Sequence, residues 1–330
     1  MLHSEVLALF GKQTQVKTFA ALPPLESTVM DTVFKNRLQH PMAMIGIKDI
    51  IEITQTTPVI SRSAPAVPVS DGSSSYSFIE PLALNPSDFI SARELNDLKT
   101  WGIATREVWL QSKQEKLRRI VRRSSEGIAT TALSGTVSWP LKLESGGWDT
   151  YQVSYGSVLS YTPDKKWDAD GVLIADVYDT LMKMRREIRK KGYGGTIEIW
   201  AGDDVYMALM KIVDSVKSTI KQNIRLEKVE AGIDVGGYLV KPMDETYQNP
   251  QTGAAVDKVA AHKLCMIALD AGHALYYCAL DDLDANLQPL PFFMKPIVKQ
   301  NPSGIDVLGM SKPLPVINPN GICWAELAAE

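Results

Sequence analysis

Residues 58–87, PVISRSAPAVPVSDGSSSYSFIEPLALNPS, decide how the rest of the chain is read. Five prolines (Pro58, Pro65, Pro68, Pro81 and Pro86) and the run Ser73-Ser74-Ser75 surround a turn signal at Asp71-Gly72, and only Arg62, Asp71 and Glu80 carry charge. Apolar and polar residues alternate on both arms, with Val59 and Ser61 before the turn and Tyr76 and Phe78 after it. That pattern gives two strands joined at Asp-Gly, a long hairpin that projects from the body as a flap. The composition also admits a disordered linker, but a solvated linker has no use for apolar and aromatic residues along both arms.

On the N-terminal side, Ser27 to Leu38 reads as a short helix with Val29, Met30, Val33, Phe34 and Leu38 on one face and Ser27 as its cap. His40-Pro41 ends it, because a residue before proline avoids the helical region. Ile45, Ile47, Ile50, Ile51 and Ile53 then suit a strand. On the C-terminal side, Ser91 to Leu133 is helical in pattern: Ile103, Leu110, Leu117, Val121, Ile128 and Ala132 recur at sevens and fours. Roughly thirty residues make about 45 Å of helix. Gly127 interrupts its interior and Gly135 is placed to end it. One thin apolar seam predicts a helix lying across a surface.

Beyond it, Val137, Trp139, Leu141 and Leu143 lead through Ser145-Gly146-Gly147 to Tyr151, Val153 and Tyr155, a strand pair. An α/β region follows Pro163. Ile174, Val177, Tyr178, Leu181, Met184 and Ile188 share one helical face, and Arg185, Arg186, Arg189, Lys190 and Lys191 suit that helix's C-terminal dipole. Thr196 to Trp200 is a strand, Val205 to Val216 a helix capped by Asp203 or Asp204, and Gly237 to Val240, Leu264 to Ala268 and Ala274 to Ala279 are further strands. Phe292 to Leu327 is strand-like with proline and glycine punctuation.

The apolar share of 45% supports a sizeable core, and a net charge of −3 lacks the basic excess of a bulk nucleic-acid binder. Cys265, Cys278 and Cys323 are too scattered for a disulfide framework. The N-terminus lacks the pattern of a signal peptide, and no run of apolar residues is long enough to span a membrane. The chain is expected to be soluble and cytoplasmic.

Little chemistry offers itself. Asp203-Asp204 and Asp281-Asp282 with Asp284 are the best candidates for metal or acid–base work, but they read equally as caps and loop charges. His262 and Cys265 have no second ligand pair. Gly192-Tyr193-Gly194-Gly195 follows a helix and precedes a strand, the reverse of a phosphate loop. No catalytic, cofactor-binding or metal residue is assigned, and the chain is read as no enzyme. Lys116, Arg118, Arg119, Arg122 and Arg123 form a basic cluster that is either a solvated helix face or a contact for an acidic partner; Glu107, Glu115 and Glu126 dilute it.

The order of parts resembles the major capsid proteins of tailed bacteriophages, specifically the lambda-type capsid protein E family. Val33-Phe34-Lys35-Asn36-Arg37-Leu38 and the isoleucine-rich strand resemble its opening helix and strand. Phe78-Ile79-Glu80-Pro81 with Leu117-Arg118-Arg119-Ile120-Val121 resembles its flap return and spine, and Lys312-Pro313-Leu314-Pro315-Val316 to Glu326-Leu327 its closing strands. The resemblance implies an α+β, Hong Kong 97-type capsid fold. Its parts would be an N-terminal arm and first strand (1–51), an extended β-hairpin flap (52–90), and a peripheral domain (91–169) with its spine helix at 95–134. An axial domain (170–285) and peripheral C-terminal strands (286–330) would complete it.

It further implies a structural protein of the virion, made in the host bacterial cytoplasm, that self-assembles as pentamers and hexamers into an icosahedral head enclosing double-stranded DNA. Asp71 and Gly72 would form the intersubunit flap tip, and Lys116, Arg118, Arg119, Arg122 and Arg123 an inner-face or subunit contact. Scaffold, decoration and portal proteins and non-specifically held DNA would be partners; no cofactor and no membrane are expected. An encapsulin-like nanocompartment shell, or an α/β enzyme with an interaction arm, are the competing readings. The enzyme reading requires Asp203, Asp204, Asp281 and Asp282 to converge in one pocket.

Overall fold

The computed structural model describes residues 25–46, 78–101, 103–215 and 224–329. The expected flap tip, Asp71 and Gly72, lies outside the described residues, as does the isoleucine-rich strand beyond Gly46.

In chain order the elements begin with α1 (Thr28–Thr32), β1 (Asn36–His40), β2 (Ile45–Gly46), β3 (Phe78–Ile79) and β4 (Ser87–Ser91). Next come α2 (Ala92–Asp97), a 3-10 turn at Leu98–Thr100, α3 (Ile103–Ala132), β5 (Thr136–Lys142), β6 (Trp148–Ser154) and β7 (Leu159–Tyr161). The α/β region holds α4 (Ile174–Lys190), β8 (Ile197–Ala201), α5 (Asp203–Ser215), β9 (Leu226–Val229), β10 (Gly232–Val235), β11 (Tyr238–Pro242), β12 (Thr246–Gln248) and β13 (Ala255–Asp257). The chain closes with β14 (Lys263–Ala268), β15 (Ala274–Cys278), β16 (Phe293–Gln300), β17 (Ser303–Met310), β18 (Pro313–Val316) and β19 (Ile322–Glu326).

A seven-stranded mixed sheet in the order β7-β19-β14-β8-β11-β10-β9 organises the molecule. Side chains alternate across it, as period-two geometry requires. Ile199, Ala201, Leu264, Met266, Cys323 and Ala325 face α4 and α5, where Val177, Leu181, Met184, Leu209 and Ile212 complete one core. Trp200, Cys265, Ile267 and Ile322 face the other way, into a second core with α1 and the end of α3. The sheet draws β7 from before residue 170 and β19 from after residue 285. Residues 170–285, expected as a separate axial domain, therefore share their sheet with the flanking segments.

Two expectations need correction. The first helix stops at Thr32, and Asn36 to Leu38 belong to β1, paired in parallel with β15 so that Leu38 lies opposite Tyr276. A local apolar period cannot register a partner strand so distant in sequence. The long helix begins at Ile103, not near residue 95. Ser91 and Glu94 form a capping box for the separate α2, and after the 3-10 turn Trp101 is extended (φ −90, ψ 150), which breaks the helix.

The long helix also differs from a surface rod along its length. Its last turns, Ser125 to Thr130, are buried on all sides, because small residues there admit neighbours closely. A Cβ on Gly127 would meet the Trp139 ring at 2.5 Å and Tyr247 at 3.2 Å. Gly135, at φ +93, ends the helix as expected, and its amide bonds the Ala132 carbonyl at 2.9 Å.

His273 is buried between the sheet and the arm, edge-on to Phe34. With Nδ1 accepting from the Asn318 N–H (3.3 Å) and Nε2 donating to the Ala268 carbonyl (3.1 Å), the ring is held neutral. Burial lowers its pKa from 6.5 to about 4, against smaller upward pulls from Ala268 and Asp270.

Two outcomes follow. In an exposed helix, Gly→Ala stabilises by about 1 kcal/mol. Here overpacking outweighs that gain, so Gly127→Ala should lower stability by about 1 kcal/mol in urea unfolding. For His273, the unfolded ring takes up a proton below its pKa of 6.5 that the folded ring refuses, so stability falls as pH drops. About 2 kcal/mol should be lost between pH 7 and pH 5, and His273→Gln should reduce that slope.

Candidate functional site

The functional features cluster where α3, the N-terminal segment and the limb from Phe78 to Ser91 meet. Gly127 to Leu133 push into the core, so the turn just before them carries its polar side chains inward. Glu126 is the result. Its buried carboxylate accepts the N–H groups of Val29 (2.7 Å) and Met30 (2.9 Å), and pairs with buried Lys258 at 2.6 Å. Lys258 also pairs with Glu245, which accepts from the Thr28 hydroxyl.

The expected cap of α1, Ser27, makes no capping bond; a carboxylate from a distant helix does that work. The Ser27 hydroxyl instead accepts from Arg122 Nε at 2.6 Å. Arg122 completes a second pair with Asp31 at 2.7 Å. Partial burial pushes the Asp31 carboxyl up, but the bonds from Arg122 and the Ser27 N–H outweigh it and hold its pKa below the ordinary value. Glu245 is lowered in the same way, with Lys258 and Thr28 overriding desolvation.

This arrangement divides the basic cluster. Arg122 faces the arm, Lys116 reaches Asp88 on β4 at 2.9 Å, and Arg118 and Arg119 pair with Glu115 at 3.2 and 2.8 Å. Arg123 is exposed and has no ion pair among the described residues. Exposed pairs of this kind contribute about 0–1 kcal/mol each, so their main consequence is to neutralise most of the positive face.

On either side of residues 47–77, β2 and β3 form a two-stranded ladder, with Ile45 opposite Ile79 and Gly46 opposite Phe78. Below it the returning limb is fastened to the body. The Tyr151 hydroxyl donates to the Glu80 carbonyl (3.1 Å), Leu84 and Ser311 exchange backbone bonds, and β4 pairs with β17.

The carboxylates do not form one centre. Asp203 and Asp204 begin α5, where the Asp204 N–H donates to the Ala261 carbonyl at 3.1 Å. Asp281 pairs with buried Lys312 at 2.5 Å, and Lys295 pairs with both Asp282 and Asp284. Among the described residues no three His, Cys, Asp or Glu side chains are grouped to hold a metal. The glycine-rich exit of α4 is occupied too: the N–H groups of Gly194 and Gly195 donate to Asp270 at 3.2 and 2.8 Å. No helix among the described residues is long and apolar enough to cross a membrane.

The N-terminal segment is thus clasped to the long helix, β2 and β3 form a short ladder, and the central sheet is covered on both faces. Residues 13–326 match the family described as phage major capsid protein E. The chain belongs to that family. Among solved structures it is similar to a prophage protein of E. coli CFT073 described as a capsid protein, at 15% identity and a TM-score of 0.63 over 98% of both chains. It is also similar to the capsid of a native GTA particle, at 12% identity and a TM-score of 0.50 over 93% of both chains. No curated protein sequence matches it. The fold is thus the Hong Kong 97-type fold of phage capsid subunits, and the role is that of a shell-forming capsid protein. Family and fold imply structural rather than catalytic work, and the nanocompartment alternative is not favoured.

Sequence reasoning missed the clasp. Glu126 reads only as a charge diluting a basic run, and nothing in the sequence singles out Lys258. The available signal is Glu126 set among Ser125, Gly127 and Ile128, a single acid inside a turn of small and apolar residues. Removing one partner of a buried pair strands the other charge. Lys258→Met should therefore destabilise the chain by about 3 kcal/mol in denaturant titration, with part recovered in the double variant carrying Glu126→Gln.

Proposed function

We propose that copies of this chain form the pentamers and hexamers of an icosahedral phage head around double-stranded DNA. The observation that carries this reading is the flap root. A two-stranded ladder is marginal by itself in water, and here β2 and β3 anchor residues 47–77, a stretch rich in proline and apolar residues. Ordering such a segment costs about 1 kcal/mol per residue in backbone entropy, and contact with neighbouring copies is what offsets it.

On this reading the axial and peripheral units follow the boundaries the resemblance implies, and Asp71 and Gly72 sit at the flap tip. Lys116, Arg119 and Arg123, the exposed members of the basic cluster, meet the packaged DNA, a scaffold or a neighbouring subunit. Portal and decoration proteins are further partners of the finished head, and the subunit carries out no catalysis of its own. It is made in the host cytoplasm and ends in the virion.

Purified chain, alone or coexpressed with its scaffold, should give closed shells in negative-stain electron microscopy. Replacing residues 47–77 with Asn-Gly, which can close the Gly46–Phe78 pair as a two-residue turn, should abolish those shells while leaving the thermal unfolding transition of the body in place. A wild-type chain that stays a compact monomer in every assembly condition, or a shortened chain that still closes shells, would overturn the reading.

A further inference from the structure

Two charge clusters lie away from the long helix and take no part in the clasp. Both belong to the layer of α4 and α5 that covers one face of the central sheet. Short connections join α4 to the start of β8 and the end of β8 to α5, so the two helices run the same way. Beyond the end of α4, the Gly194 and Gly195 N–H groups donate to Asp270, which follows β14. At the start of α5 the Asp204 N–H donates to the Ala261 carbonyl, and the Leu327 N–H, beside the segment leading into α4, donates to the His262 carbonyl; both precede β14. The six residues of β14 therefore set the two ends of the layer roughly 20 Å apart.

The ends carry opposite charge. Arg186, Arg189 and Lys191 are exposed at the end of α4 and have no ion pair among the described residues. Arg185 adds to them, bonded to the Gly194 carbonyl at 3.2 Å, while Lys190 is matched by Glu187. The acids on that side are Asp234 and Asp270, which accept backbone N–H groups, and Asp214 and Glu227, which pair with Lys228 and Arg225. They leave the end positive. At the other end Asp170, Asp203 and Asp204 are exposed and without an ion pair among the described residues. Of the cations there, Lys263 is paired with Glu326 at 3.1 Å, and Asp164 and Asp168 offset Lys165 and Lys166. Helix dipoles favour acids at helix starts and bases at helix ends, and two parallel helices add these preferences at each end.

We propose that the basic end of α4 in one copy docks on the acidic end of the α4–α5 layer in the next, Arg186, Arg189 and Lys191 facing Asp170, Asp203 and Asp204. Opposite charges attract across such a contact and like ends repel, so the copies line up head to tail, the arrangement that closes into rings. Nucleic acid would answer the basic end but leave the acidic end without a partner; a second copy answers both. The assignment rests on the shell reading above, and it names which surfaces meet within each pentamer or hexamer and what fixes their direction.

The test reverses each end in the full-length chain. One variant carries Arg186→Glu, Arg189→Glu and Lys191→Glu, a second carries Asp170→Lys, Asp203→Lys and Asp204→Lys, and a third carries all six changes. Thermal unfolding checks that each is folded, and negative-stain microscopy scores shells over a protein dilution series. The first two, with like charges facing, should need at least about tenfold more protein than wild type, and the third, complementary again, should return toward the wild-type concentration. A first or second variant that assembles as wild type does, including one that loses only its hold on DNA, would overturn the docking while leaving the shell reading intact. So would a third variant no better than the first two. A wild-type chain that forms no shells would overturn both. Should reversal unfold a chain, Arg186→Gln, Arg189→Gln and Lys191→Gln, or Asp170→Asn, Asp203→Asn and Asp204→Asn, take its place. These neutral variants should assemble less readily and with a weaker salt dependence than wild type, and an unchanged salt dependence in both would overturn the docking.

Discussion

Glu126 and Lys258 are buried together where the long helix meets the arm and the segment after β13, and neither charge can remain there without the other. The carboxylate also closes the first turn of α1, so one side chain settles three questions of position at once. It fixes where the N-terminal segment docks, how deep the end of α3 sits, and where the β12–β13 hairpin lies. Val29, Met30, Val33 and Phe34 can then complete the core on one face of the central sheet, opposite the face covered by α4 and α5. A sheet covered on both sides has no face left for neighbours. On the proposed reading, contacts between subunits are made by what covers or borders the sheet rather than by its faces.

That division explains which parts of the fold the sequence discloses. The β5–β6 hairpin is readable because its alternation is local and its turn carries Gly146-Gly147; the helix α4 is readable because five buried residues share one face. The strands β14 and β15 announce themselves as short apolar runs. By contrast, Asn36 to His40 become a strand only through pairing with Ala274 to Cys278, which no window around residue 36 contains. The break at Trp101 turns on one extended residue within a pattern that otherwise favours helix.

The site was legible in outline and not in detail. A flap between residues 52 and 90 is suggested by proline content and by the Asp-Gly turn; most of it lies outside the described residues, and what is seen is a pairing of Ile45–Gly46 with Phe78–Ile79. The basic run along α3 was visible as composition, but its partners Asp88, Asp31 and Glu115 were not, apart from the helical spacing of Glu115 to Arg118 and Arg119. Salt bridges between distant segments leave no periodic trace.

The account as a whole stands on one claim, that the segment rooted on β2 and β3 gains its order from another subunit. A cryo-electron microscopy reconstruction of the assembled chain tests it most directly. The expected map shows continuous density for residues 47–77 leaving the Gly46–Phe78 pair and running over an adjacent subunit. Density that folds back to pack wholly on its own subunit, in a shell that is otherwise closed, would contradict it.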